Sequence, residues 1–75
     1  MLLTFYRECR IRVKAQALTR GGFGVVSLDV WKRRLNGAEV YTSLWIADGG
    51  AFETAEAAEA AGVLLAKLAI DDGIT

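Results

Sequence analysis

Histidine is absent from this 75-residue sequence, and cysteine occurs only once, at Cys9. The chain therefore cannot form an internal disulfide, a histidine-based acid/base pair or a zinc site built from cysteine and histidine. No cofactor is expected, because the glycine-rich segment 21–24 lacks the lysine, the serine or threonine and the following helix of a phosphate-binding loop. A single free thiol fits a reducing compartment, so we expect a cytoplasmic protein.

Long hydrophobic runs are also lacking. No stretch approaches the ~20 apolar residues of a membrane span, and segment 1–6 has neither the basic start nor the long apolar core of a signal peptide. Apolar residues nevertheless make up 53% of the chain, which argues against disorder. This length predicts a single domain spanning 1–75. We do not expect an enzyme or a small-molecule substrate, because so small a fold leaves little volume for a pocket with perturbed titratable groups.

Net charge is zero, but the two halves of the chain differ strongly. Residues 1–38 contain eight lysines and arginines against two acidic residues, whereas residues 39–75 contain one lysine against seven acidic residues. Such asymmetry has two interpretations. A basic sheet and an acidic helix attract each other or solubilise opposite faces, or the basic half contacts nucleic acid.

Alternation of apolar and polar residues predicts three strands, at 5–18, 24–34 and 40–47. Gly21-Gly22 and Asn36-Gly37 are expected to form two-residue hairpin turns, the second of type I′. Counting outward from these turns pairs Val13 with Val30, and Leu28 with both Ala15 and Trp45. The first strand then directs Cys9 to a covered face.

The period changes after residue 53, where alanine, leucine and glutamate predict a helix over 55–70. Thr54 is its expected N-cap and Gly73 its C-cap. The fold class is α+β: a three-stranded antiparallel meander followed by one C-terminal helix packed on one sheet face (βββα). An apolar stripe is expected to face the sheet: Ala57, Ala58, Ala61, Leu64, Leu65 and Leu68.

The uncovered sheet face supplies the candidate sites. On the predicted register, Trp31, Val40, Leu44 and Ile46 expose apolar surface together, which predicts a partner or homodimer surface. The candidate nucleic-acid contacts on the same face are Arg10, Arg12, Lys14 and Arg33. We expect a cation–π contact between Arg12 and Trp31.

The segment 50–58 carries a resemblance to known families through Gly50, Phe52, Thr54, Ala55 and Glu56. It resembles the strand-to-helix junction of AP2/ERF-type DNA-binding domains, which implies three strands, one helix and a sheet that enters the DNA major groove. The same run is similar to HicB-type antitoxin folds and to small uncharacterised bacterial three-strand-plus-helix proteins. The strand motifs by which AP2 domains read DNA do not recur here, so the resemblance implies no particular binding residue.

Two functions follow from these observations. The first is a non-enzymatic, self-associating or protein-binding module, with the homodimer as its working unit. The alternative is an antitoxin-like or AP2-like nucleic-acid-binding module that uses the basic sheet face. No metal site and no membrane partner are expected.

Overall fold

The computed structural model describes residues 1–44, 46 and 50–73 of the chain. The elements are β1 (Leu2–Tyr6), β2 (Cys9–Ala17), β3 (Phe23–Arg33), β4 (Glu39–Leu44) and α1 (Ala55–Asp71). The strands form one antiparallel sheet in the order β1-β2-β3-β4, and α1 packs on one face of it, mainly across β2 and β3. The α+β class is as predicted. No helix in this part of the chain is long and apolar enough to cross a membrane.

The sheet has four strands, so the predicted count of three is wrong. The region predicted as one strand, 5–18, contains a hairpin between β1 and β2, in which Tyr6 pairs with Cys9. Its turn residues, Arg7 and Glu8, adopt φ of 49° and 65°. Positive φ at both central residues is the type I′ geometry, which usually requires asparagine or glycine. This turn was not predicted because neither residue is one of the usual turn formers.

The β2–β3 hairpin closes through loop 18–22, in which the Leu18 N–H donates to the Gly22 carbonyl (2.9 Å). The loop places Ala17 opposite Phe23, and a β-bulge between Lys14 and Ala15 then changes the register by one residue, so that Val13 pairs with Leu28 rather than with the predicted Val30. This net shift of two residues keeps the side chains of 27–33 on their predicted faces, because side chains alternate with a period of two. Beyond the bulge the faces of β3 are reversed, so Val25 is buried and Val26 is exposed. The inner face, which is covered by α1, therefore holds Val13 fully buried, together with Cys9 and Ile11.

The β3–β4 hairpin does not use the predicted type I′ turn. The Arg34 N–H donates to the Ala38 carbonyl (2.8 Å), and the Gly37 N–H donates to the Arg34 carbonyl (2.9 Å). Gly37 has φ of 88°, whereas Asn36 does not have positive φ. Asn36 instead accepts a hydrogen bond from the Ala38 N–H through its side chain (3.0 Å). This is a longer loop with a left-handed glycine at its end, a common alternative to the two-residue turn.

The longer loop shifts the register of β4 by one residue. Leu28 pairs with Leu44, where the two-residue turn predicted Trp45, which lies outside the described residues. A one-residue shift moves every side chain of a strand to the opposite face. The prediction that Val40, Leu44 and Ile46 lie on the uncovered face is therefore wrong. Val40 pairs with an inner-face residue, and Leu44 and Ile46 pack against the core.

Helix α1 turns its small residues, not its leucines, toward the sheet. Ala58, Gly62 and Ala66 are buried, whereas three large side chains are 46–60% exposed: Leu64, Leu65 and Leu68. The predicted apolar stripe is therefore rotated away from the sheet, and only Ala58 of its members is buried. The reason is close approach: a Cβ at Gly62 would lie 2.5 Å from Val13 Cγ1.

Thr54 is the N-cap of α1 as predicted, whereas the C-cap is Asp72 rather than the predicted Gly73. Thr54 Oγ1 accepts a hydrogen bond from the Ala57 N–H (3.1 Å), which satisfies one of the amides without a helical partner in the first turn. Gly73 follows the helix with φ of 85°, and its N–H donates to the Ile70 carbonyl (3.0 Å). Near this end Tyr6 donates to the Asp71 carboxylate (3.0 Å), so the helix terminus is tied to β1.

Candidate functional site

The outer face of the sheet, opposite α1, carries a continuous row of side chains across all four strands. Phe5 pairs with Arg10, Arg10 with Trp31, and Trp31 with Tyr41. The Arg10 guanidinium carbon lies 4.7 Å from the centroid of the Trp31 ring. The Trp31 and Tyr41 rings are 5.2 Å apart, tilted by 38°. We call these four residues the aromatic row. It places Arg10 between the exposed ring of Phe5 and the half-buried ring of Trp31.

A second row, next to the aromatic row, centres on a buried carboxylate. Asp29 is only 2% exposed, although it lies on the uncovered face. It accepts hydrogen bonds from Arg12 Nη2 (2.8 Å), Ser27 Oγ (3.1 Å) and the Tyr41 hydroxyl. The Arg12 guanidinium carbon also lies 5.1 Å from the centroid of the Trp31 ring, which confirms the expected cation–π contact.

These contacts set the charge state of Asp29. Burial by itself raises the pKa of this carboxyl, but the hydrogen bonds from Tyr41, Arg12 and Ser27 outweigh it and hold the pKa below its usual value of 3.8. Asp29 is therefore ionised at neutral pH. It acts as a fixed acceptor that orients Arg12 and Tyr41 on the outer face.

The structure brings all four predicted nucleic-acid contacts to one face, but they differ in whether a carboxylate pairs with them. Arg12 pairs with Asp29, as described, and Arg10 lies 3.7 Å from the Glu39 carboxylate. Lys14 and Arg33 are exposed and form no ion pair within the described part of the chain. The outer face therefore keeps a positive excess after its two carboxylates are counted.

An open groove runs along one end of the outer face, between the β1–β2 and β3–β4 turns. Its lining combines aromatic rings with arginine side chains and two carboxylates: Phe5, Glu8, Arg10, Trp31, Lys32, Arg33, Arg34, Leu35, Asn36 and Glu39. The aromatic row thus continues into a cationic end of the sheet. Among the described residues, no group of three or more carboxylate and thiol side chains could hold a metal ion.

The predicted partner surface of Trp31, Val40, Leu44 and Ile46 is not a single surface. Trp31 lies on the outer face, beside Tyr41, while Val40 and Leu44 point to the inner face. The one-residue shift in β4 is the cause, so this set cannot contact one partner face as a unit.

A different apolar surface exists on α1. Leu64, Leu65 and Leu68 lie along one side of the helix and are 60%, 46% and 55% exposed; we call them the leucine face. The Lys67 ammonium lies 5.2 Å from the Tyr6 ring centroid, which marks the side of α1 toward β1. Leu65 is about 160° around the helix from Lys67 at 100° per residue. The leucine face therefore lies on the side toward β4.

Comparison with protein families, curated proteins and solved structures found no match to this chain. The resemblance of segment 50–58 to AP2/ERF-type and HicB-type domains therefore stays a prediction. The cations of the outer face were predicted from the sequence, but Phe5 and Tyr41 were not predicted to be their neighbours. The correct register was the signal needed to find them, because only pairing across the strands brings these residues together.

Proposed function

We propose that the protein is a self-associating module whose working unit is a homodimer joined through the leucine face of α1. The observation that carries this proposal is the exposure of three leucines along one side of a single helix. Isolated exposed leucines are common on protein surfaces. A contiguous group is a feature of association surfaces.

A second copy of the chain is the partner that fits this surface best. A two-fold interface brings the same patch of both subunits together, so the patch must be complementary to itself. The three leucines are uncharged, and the charged residues Glu56, Glu59 and Lys67 occupy the β1 side of the helix on the same angular count, whereas Asp72 lies on the leucine side, one turn beyond Leu68. In an antiparallel helix pair the two Asp72 carboxylates lie at opposite ends of the interface, so two leucine faces can meet without like charges opposing each other.

The inner surface of β4 adds apolar area beside the leucine face. Val40 and Leu44 are partly exposed and project to the same side of the sheet as α1, which packs mainly on β2 and β3. A stable interface buries about 800 Å² per partner, more than three leucines supply. A partner helix placed against α1 and over β4 would provide the rest.

Sedimentation velocity at micromolar concentration tests the proposal. The wild-type protein is expected to sediment with twice the 8.1 kDa mass of one chain. Leu68→Glu places a charge in the interface and is expected to give a monomer with unchanged helix content by circular dichroism. Leu35→Glu is the matched control, because Leu35 is fully exposed in the β3–β4 loop; this variant should stay dimeric.

A wild-type monomer at these concentrations would refute self-association. A dimer that both variants leave intact would refute the leucine face as its interface. The cytoplasm remains our proposal for the compartment, since a single buried thiol such as Cys9 needs no oxidising environment.

A further inference from the structure

We propose that the outer face of the sheet binds single-stranded nucleic acid, with bases stacked on the aromatic row and phosphates held by the cations on either side of it. This inference does not depend on self-association. The leucine face and the outer face lie on opposite sides of the molecule, so each can be tested while the other is left intact.

The aromatic row offers the stacking surfaces. Phe5 is 76% exposed and Tyr41 is 54% exposed, and they lie at the two ends of a row that crosses the whole sheet. Neighbouring strands are about 4.8 Å apart, so the row spans roughly 14 Å. Single-stranded bases stack on exposed aromatic rings and on arginine guanidinium planes. The aromatic row contains three rings and the guanidinium of Arg10, so it supplies both kinds of surface.

The inner members of the row are fixed in place before any ligand binds. Trp31 contacts Arg10, Arg12 and Tyr41, and the buried carboxylate of Asp29 holds Arg12 and Tyr41 through hydrogen bonds. A charge buried on an uncovered sheet face is costly unless it is paired. The hydrogen bonds from Arg12 and Tyr41 compensate for the burial of the Asp29 carboxylate, and they orient side chains on the face that would meet the bases.

Cations flank the row along the strand direction. Lys14 lies four residues from Arg10 on β2, roughly 14 Å away, and Arg33 lies two residues from Trp31 on β3, roughly 7 Å away. Arg34 follows in the loop and is also exposed. These three side chains form no ion pair within the described residues. They are available to phosphates on both sides of the stacked bases.

The chemistry favours a single strand over a duplex. The chain as a whole has no net charge, so attraction for phosphates alone is weak at physiological salt. Stacking on Phe5 and Tyr41 must supply much of the affinity, and a duplex keeps its base faces inside its own stack. An acidic polymer that lacks bases would meet only the cations.

Fluorescence anisotropy of labelled homopolymers of about 12 nucleotides tests this proposal. The arms are oligo-dT, oligo-rU, a dA·dT duplex of the same length, and heparin as an anion without bases. We expect saturable binding to a single strand, weaker binding to the duplex, and little competition by heparin. The dT and rU arms distinguish DNA from RNA as the preferred strand.

Substitutions separate stacking from charge. Phe5→Ala is expected to weaken binding about 5-fold or more, the usual effect of removing one stacked ring, while Phe5→Tyr keeps an exposed ring at the same position and should retain most of the affinity. Lys14→Gln should lower the slope of log affinity against log salt by about 0.7. Lys67→Gln is the matched control on the helix side and should leave the slope unchanged.

Several results would overturn the proposal. These are single-strand binding weaker than about 100 µM, equal affinity for strand and duplex, or full affinity in Phe5→Ala. Binding of heparin as tight as that of the oligonucleotide, unaffected by Phe5→Ala, would show a simple cationic patch instead. Leu68→Glu should bind the short strand with unchanged affinity per subunit, so loss of the dimer and loss of nucleic-acid binding remain distinguishable.

Discussion

Substitution of Gly62 by alanine tests the close contact between α1 and the sheet. Glycine inside a helix costs about 1 kcal/mol relative to alanine, so the change would stabilise an exposed helix by that amount. Here the new Cβ would lie 2.5 Å from Val13 Cγ1 and 3.4 Å from Val25 Cγ2. Val13 is fully buried in a central strand and has a stiff, β-branched side chain. It therefore cannot move aside easily.

Overpacking of this kind typically costs 1–3 kcal/mol. We therefore expect Gly62→Ala to lower the free energy of unfolding by about 1 kcal/mol after the gain in helix propensity. Urea denaturation followed by circular dichroism measures the change, at one fixed protein concentration because the proposed self-association would also stabilise the fold.

A double-mutant cycle with Val13→Ala identifies the cause. Val13→Ala removes the methyl groups in conflict, so Gly62→Ala in that background should stabilise the protein by about 1 kcal/mol. Ala60→Gly, at an exposed position of the same helix, calibrates the propensity difference. The close contact would be refuted if Gly62→Ala stabilised the wild-type protein as much as Ala60→Gly destabilises it, with no coupling to Val13.

Three further outcomes follow from the turns and from Asp29. Because the folded-state pKa of Asp29 lies below its usual 3.8, its ionised form stabilises the fold above that pH, and this contribution is lost as pH falls through the lower folded value. Asp29→Asn should thus unfold more easily at pH 7 yet lose less stability than wild type below about pH 4, as urea titrations at each pH would show. Glu8→Gly should raise the free energy of unfolding by about 0.5–1 kcal/mol by relieving a left-handed φ of 65°. Gly37→Ala, at φ of 88°, should lower the free energy of unfolding by about 1 kcal/mol. The assigned backbone would be contradicted if both turn substitutions changed the free energy of unfolding in the same direction and by the same amount.

The sequence was sufficient for the position of the helix and for the faces of β2 and of residues 27–33 of β3, but not for residues 23–26 of β3, where Val26 is exposed and Val25 is buried, nor for the face of β4. The helix signals were local: a capping threonine, strong helix formers and a closing glycine. The face of β4 depended on one loop residue. Asn36-Gly37 suits a type I′ turn, yet only Gly37 adopts positive φ here. Turn composition alone does not choose between a two-residue turn and a longer loop that ends in glycine.

The direction of α1 was missed for a different reason. Its residues are apolar on more than half of its circumference, so periodicity marks no single buried side. The shape of the sheet determines which side of α1 is buried, because the side chains of Val13 and Val25 leave room only for Gly62 and its small neighbours. Size complementarity of this kind becomes visible only when both surfaces are in place. The exposed leucines are its direct consequence.

The candidate cations were found because alternation in β2 puts Arg10, Arg12 and Lys14 on one side in any register that keeps the period of two. Their chemistry, however, depends on neighbours across the strands. Arg12 is committed to Asp29 and Arg10 stacks on Trp31, so neither is simply a free phosphate contact. Lys14 and Arg33 remain for that role, which narrows the predicted set to two cations and adds the rings of Phe5 and Tyr41.

The charge pattern of the molecule supports separate roles for the two proposed surfaces, with the leucine face for association and the outer face for nucleic acid. The described part of the helical half, 50–73, holds five of the nine acidic residues and one lysine, whereas the outer sheet face is basic. An anionic strand is therefore attracted to the sheet and repelled by the helix side. A dimer joined through the leucine faces would bury these leucines between the subunits and present one basic, aromatic sheet face on each. Association through the outer faces would instead bring Arg33 and Lys14 of both copies together and cover Asp29, at an electrostatic cost that the leucine interface avoids.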